Sequence, residues 1–132
     1  MVHPCCIPTN LPQTPDFWNN TSASLVSATA NYIVINGIFT VNQNLTLVNK
    51  QIYLGPDAKI DLTSGNSLTL RNCTLQAGCN YMWDGIYTEA PNSFVGIYKQ
   101  SKIQDAKNAI VSRNGGDFTV SGSYLIKTTN IL

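Results

Sequence analysis

Four segments of this chain share one plan: LTLVNKQI (45–52), LTLRNCTL (68–75), GIYKQSKI (96–103) and FTVSGSYL (118–125). Each opens on an alternating hydrophobic triplet, crosses a polar corner and reaches another hydrophobic residue. Taking the last apolar residue of each triplet as an anchor gives Leu47, Leu70, Tyr98 and Val120. Five positions after each anchor stand Ile52, Leu75, Ile103 and Leu125. Two positions after it stand Asn49, Asn72, Gln100 and Gly122. Asn and Gly suit a tight bend there, because both tolerate left-handed backbone angles and Asn can bond its own backbone. A further register lies upstream, where Ile60, Ile86 and Ile110 precede Leu68, Phe94 and Phe118 by eight residues each.

The anchors recur after 23, 28 and 22 residues. A period in the twenties with three short strands per repeat is the mark of a solenoid, in which stacked repeats bury one continuous core that no single repeat could form. The LxxLxLxxN frame of leucine-rich repeats is absent. Period-two alternation and abundant Thr, Ile, Val and Tyr argue for strands over helices. The expectation is an all-β parallel β-helix of about four coils. Leu70, Tyr98 and Val120 should stack inward, as should Ile52, Leu75, Ile103 and Leu125. Asn49, Asn72 and Gln100 should form an amide ladder at a corner. Thr46, Thr69, Ile97 and Thr119 fall on the outward row. The long middle coil needs an insertion, either around CNYMW (79–83) or at EAPN (89–92).

The ends read differently. Residues 1–20 carry four of the six prolines and the adjacent Cys5 and Cys6. Proline has no amide hydrogen and does not fit a central strand. Residues 1–31 are therefore read as an irregular leader or partial N-terminal cap, with a short helix within SASLVSATA (22–30), and residues 32–132 as the β-helix. KTTNIL (127–132) stops as a strand begins. An uncovered solenoid end exposes core and unpaired backbone. The expectation is that the natural protein continues past Leu132, or that this edge meets a partner or another copy end to end.

Composition narrows the function classes. Apolar residues make up 43% and charged residues 11%, enough apolar material for a core, with a net charge of +1 and no basic block. This argues against a nucleic-acid partner. No run of 18 apolar residues exists to span a membrane, and MVHPCCIP lacks the layout of a signal peptide. With four cysteines, no CxxC and a single histidine, His3, no metal site or cofactor is expected. Cys73 and Cys79 either close a small disulfide loop or remain two separate thiols.

CNYMWDGIYTE followed by SKIQDAKNAI resembles a repeat of large secreted bacterial surface proteins in the pectate-lyase-like superfamily of right-handed parallel β-helices, many of the type IX-exported kind. The matching positions are Cys79, Met82, Trp83, Gly85, Ile86, Ser101, Ile103, Asp105, Ala106, Ala109 and Ile110, and LGPDAKIDL (54–62) is similar to the preceding coil. The resemblance covers roughly residues 32–132. It implies a right-handed β-helix and a secreted or bacterial cell-surface location. It implies little about activity, since one fold hosts many functions.

A polysaccharide lyase on such a fold needs acidic calcium ligands and a basic residue, and a glycoside hydrolase needs paired carboxylates. The acids are Asp16, Asp57, Asp61, Asp84, Asp105, Asp117 and Glu89. In the stacking register Asp61 lies beside Tyr87 and then Val111. Asp105 lies between Ala77 and Lys127, so neither has an acidic neighbour. Asp84 and Glu89 flank one strand, and no catalytic residue is assigned. Tyr87 points outward by alternation, so Tyr87, Asp84 and Glu89 are the candidate binding residues. Trp18 and Trp83 are weighed as sugar-stacking plates, with core packing favoured for Trp83. The threonine row is read as strand preference, with an ice-binding surface as the lesser alternative. Three functions follow: a non-catalytic stalk or adhesive segment of a larger surface protein, the N-terminal part of a carbohydrate-active enzyme with its catalytic residues beyond Leu132, or a sugar-binding module. Extracellular glycans or the rest of a longer β-helix are the expected partners.

Overall fold

The computed structural model describes residues 11–126. They form a parallel β-solenoid of about four turns, all-β as the repeat requires. Strand β1 (Asp16–Ser22) lies on the first half of β2 (Tyr32–Val41) and continues along its second half. Three strands then recur in each coil. The first coil is completed by β3 (Leu45–Val48) and β4 (Gln51–Leu54). The second holds β5 (Lys59–Leu62), β6 (Ser67–Arg71) and β7 (Thr74–Ala77). The third holds β8 (Trp83–Thr88), β9 (Phe94–Tyr98) and β10 (Lys102–Gln104), and the fourth β11 (Ala106–Ser112), β12 (Asp117–Val120) and β13 (Tyr124–Ile126). One sheet runs β11-β8-β5-β2-β4-β7-β10-β13, with β1 beside β2, and the other runs β12-β9-β6-β3. Every pairing is parallel.

The ladders explain the repeat. Ile33, Ile52, Leu75, Ile103 and Leu125 stand opposite one another in successive strands, so the expected ladder exists and gains a rung at Ile33. Phe39, Ile60, Ile86 and Ile110 form a second. The third is Leu47, Leu70, Ile97 and Val120. Here the structure corrects the sequence reading by one residue: Ile97, not Tyr98, is the inward anchor, and Val95, not Phe94, stacks on Leu68. The frame Val95/Ile97 fills the slot beside Leu68 and Leu70 with two branched side chains. The frame Phe94/Gly96/Tyr98 would leave a void at its centre, and voids in a close-packed interior cost contacts. The anchors therefore lie 23, 27 and 23 residues apart.

The insertion in the long coil is divided. Ile52 to Ile60 is eight residues, whereas Leu75 to Ile86 is eleven, so most of the extra chain lies around Cys79–Trp83. One more residue enters between Ile86 and Val95, at 89–92. Trp83 is fully buried within the enlarged coil, and its indole Nε1 donates to the Gln104 carbonyl at 2.8 Å. Trp18 is buried too, stacked on Phe39 with centroids 4.7 Å apart, so neither tryptophan is a surface plate.

Residues 16–22, expected within an irregular leader, form β1, and the short helix reduces to one 3-10 turn at Ala23–Leu25. Trp18 and Ala23 cover the first coil. The Asp16 carboxylate accepts from the amides of Thr29 and Ala30, fixing the return of the chain. His3, Cys5, Cys6, Lys127 and the terminal KTTNIL lie outside the described residues.

Corner chemistry follows the residue types. Asn49, Asn72, Gln100 and Gly122 all take positive φ, between 52° and 63°. Asn72 Nδ2 donates to Asn49 Oδ1 at 2.8 Å, so the expected amide ladder forms between Asn49 and Asn72 and does not extend to Gln100. One position further, Cys73, Ser101 and Ser123 occupy matching sites. The Cys73 amide donates to Ser101 Oγ, and the Ser101 amide donates to Ser123 Oγ, each small side chain satisfying a backbone group of the preceding coil. The Cys73 thiol donates to the carbonyls of Leu47 and Arg71.

Candidate functional site

Cys73 and Cys79, for which a mutual bridge and two separate thiols were both open, do not bridge each other. Cys73 is a free, fully buried thiol and Cys79 is disulfide-bonded. The reason is geometric: Cys73 points into the core in the serine row, whereas Cys79 lies in the loop beyond β7. Burial pushes the Cys73 thiol up from its ordinary range, against a smaller lowering by backbone hydrogen bonds and the Lys50 charge.

The outer face of β5, β8 and β11 holds two of the three candidate binding residues in contact. Strict alternation would send Asp84 and Tyr87, three apart, to opposite sides of the strand. Gly85 breaks that rule. It has a φ of 143°, and a Cβ there would meet the Asn108 carbonyl oxygen at 1.8 Å. Beside it the pairing of β8 with β11 shifts by one residue between Asn108 and Ile110, a bulge of the kind that re-aims side chains. As a result both groups are half-exposed on one face, and the Tyr87 hydroxyl donates to Asp84 Oδ1 at 2.5 Å. That hydrogen bond raises the Tyr87 pKa above the ordinary phenol range, with burial and the Asp84 charge adding to it.

Lys59, one strand across, places its ammonium 4.2 Å from the centre of the Tyr87 ring, a cation–π contact. Asp61 stands beside Tyr87 in register and Val111 on its other side, as the stacking predicts. Glu89 does not join the pair, since it is bound to Arg113 in the next coil. Asp57 is held by Lys107 at 2.6 Å. Asp105 is buried at a corner with a φ of 65°, its carboxylate accepting from the Ala77 amide. Asp57, Glu89 and Asp105 are thus tied to groups one or two coils away, whereas Asp84 is tied within its own strand.

Sequence reasoning did not single out Lys59. The signal was partial: Lys59, one residue before the inward Ile60, must point outward, but it stands opposite Gly85 and reaches Tyr87 only diagonally through its long side chain. The threonine row was also misread by one residue: Thr46, Thr69, Gly96 and Thr119 are in register. At Gly96 a Cβ would meet the Tyr98 ring at 2.5 Å, so that ring lies across the row and interrupts it. The ice-binding alternative loses its flat rank of hydroxyls.

Among the described residues, no group of three His, Cys, Asp or Glu side chains is placed to hold a metal ion, and no helix is long and apolar enough to cross a membrane. Taken together these features define the chain as a parallel β-solenoid in which, among the described residues, two surface ion pairs join different coils. No family model, curated protein or solved structure matches the chain.

Proposed function

We propose that the chain is a non-catalytic segment of a larger secreted or cell-surface protein, serving as a rigid spacer in a stalk or adhesive array. The observation that supports this reading is the use of its outer charges. The Asp57–Lys107 pair ties the second coil to the fourth, and the Glu89–Arg113 pair ties the third to the fourth. Asp84 is occupied by Tyr87, whose ring already carries Lys59. Such groups brace one coil against the next instead of converging on open space. The disulfide at Cys79 supports an oxidising compartment outside the cytosol.

Two measurements test the proposal. Incubation with acidic and neutral polysaccharides, with and without calcium, should release no new chain ends; steady cleavage would overturn the non-catalytic reading. Spin labels at the exposed positions 42 and 121 should report one narrow distance distribution. A broad distribution would remove the spacer role.

A further inference from the structure

We propose that the corner formed by Arg71, Tyr98, Lys99 and Gln100 is a binding site for an organic oxyanion, a sulfate or phosphate monoester carried on a sugar-sized ring. The space arises from two departures from the repeat. The third coil carries one extra corner residue, so Ile97 to Ile103 is six residues where Leu70 to Leu75 is five, and Lys99 and Gln100 both take left-handed φ. The corner position that follows Asn49, Asn72 and Gln100 is Gly122, where an added Cβ would meet nothing within 4 Å. The swollen coil above the missing side chain leaves a cavity of about 410 Å³, lined by Arg71, Tyr98, Lys99, Gln100, Ser121 and Gly122.

The lining selects the ligand. It contains two cations and no acid. The ion pairs among the described residues involve Lys107 and Arg113, leaving Arg71 and Lys99 without a counter-charge. The Gln100 amide and the Ser121 hydroxyl add neutral donors. A guanidinium fork, an ammonium and two neutral donors arriving from three coils offer more hydrogen bonds than the two oxygens of a carboxylate accept, and they suit the oxygens of a tetrahedral ester. The Tyr98 ring lies across Gly96, with the Arg71 guanidinium carbon 5.3 Å from its centre. An aromatic surface beside the cations gives the ring that carries the ester an apolar face to rest on.

Calorimetric titration of the full chain tests this with four probes: a glucose sulfate ester, a glucose phosphate ester, glucose itself and inorganic sulfate. At least one ester should bind saturably and glucose should not. Inorganic sulfate should bind about tenfold more weakly, since it gains nothing from Tyr98. The tighter of the two esters identifies which tetrahedral anion the corner prefers. Arg71→Gln should weaken the ester about tenfold or more. Tyr98→Ala should remove the gap between ester and inorganic sulfate. Gly122→Asn should crowd the cavity and weaken ester binding while the melting transition stays cooperative, because Asn tolerates the left-handed backbone already used at positions 49 and 72. If Arg71→Gln does not fold, Lys99→Gln on an exposed side chain gives the same readout. The proposal fails if neither ester saturates, if glucose binds as well as the esters, or if removing the positive charge leaves ester affinity within about twofold of the parent.

Discussion

Ile103 offers the most direct test of the ladder. It is fully buried, with Leu75 on one side and Leu125 on the other. Truncation to alanine removes a branched side chain from a packed column, and such changes cost about 2–5 kcal/mol including the cavity left behind. The cost should fall at the end of the column, because Leu125 is already 43% exposed. Leu125→Ala should therefore cost roughly half as much or less, since only the buried part of the transfer term is lost. Ile103→Asp is more severe. It forfeits roughly 2 kcal/mol of apolar burial and places a carboxylate where no partner waits, adding several kcal/mol more. Against a typical total stability of about 5–15 kcal/mol, that is enough to unfold the chain. Thr69→Asp, on the outward row, should change stability by under about 1 kcal/mol. Urea unfolding followed by tyrosine and tryptophan fluorescence gives the values for Ile103→Ala, Leu125→Ala and Thr69→Asp, and Ile103→Asp should show no folded baseline. Equal losses for Ile103→Asp and Thr69→Asp, or a Leu125→Ala loss as large as that of Ile103→Ala, would refute the inward assignment and the graded core.

Four further outcomes are expected. Asn72→Gly should lose only the amide ladder bond, about 0.5–1.5 kcal/mol, whereas Asn72→Ala should lose about 1–2 kcal/mol more for the left-handed backbone; urea midpoints separate them. Cys73→Ser should be tolerated to within about 1.5 kcal/mol, because serine already fills the matching sites at 101 and 123 and a hydroxyl can donate to the same carbonyls; in the parent, Cys73 should resist a thiol reagent until the chain unfolds. Gly85→Ala should destabilise far more than Gly65→Ala, since its Cβ meets backbone oxygen while that of Gly65 meets nothing within 4 Å; thermal melts decide this. The Tyr87 hydroxyl, raised by its bond to Asp84, should contribute stability that is fully present below the unfolded tyrosine pKa and is lost as pH rises through the folded one; ultraviolet titration should show late phenols for Tyr87 and for Tyr53, which burial raises, and one fewer late phenol in Asp84→Asn.

The architecture was legible in the sequence because a solenoid repeats its own constraints. Each coil must offer inward residues at the same offsets and a corner residue that accepts positive φ, so Ile52, Leu75, Ile103 and Leu125, and Asn49, Asn72 and Gln100, could be aligned without coordinates. The candidate site was half legible. Tyr87 and Asp84 were named, but their contact depends on the twist at Gly85, which breaks the alternation that sequence reasoning relies on. Glu89 was named with them and belongs to Arg113 instead, because the choice between two nearby cations and acids is made across coils.

Other features only the tertiary structure decided, each for a physical reason. The frame of FVGIY was ambiguous along the chain, since both parities are apolar; packing against Leu68 and Leu70 selected Val95 and Ile97 and turned Tyr98 outward over Gly96. The fate of Cys73 depended on the carbonyls of Leu47 in the preceding coil and Arg71 in its own, which take the thiol proton and keep it in the serine row. The Arg71–Tyr98 corner could not be seen from spacing alone, because it requires an extra residue in one coil and a missing side chain in the next to coincide in space. Outside FVGIY, local pattern determined which residues face the core, while the stacking of coils determined that frame and which outward groups meet.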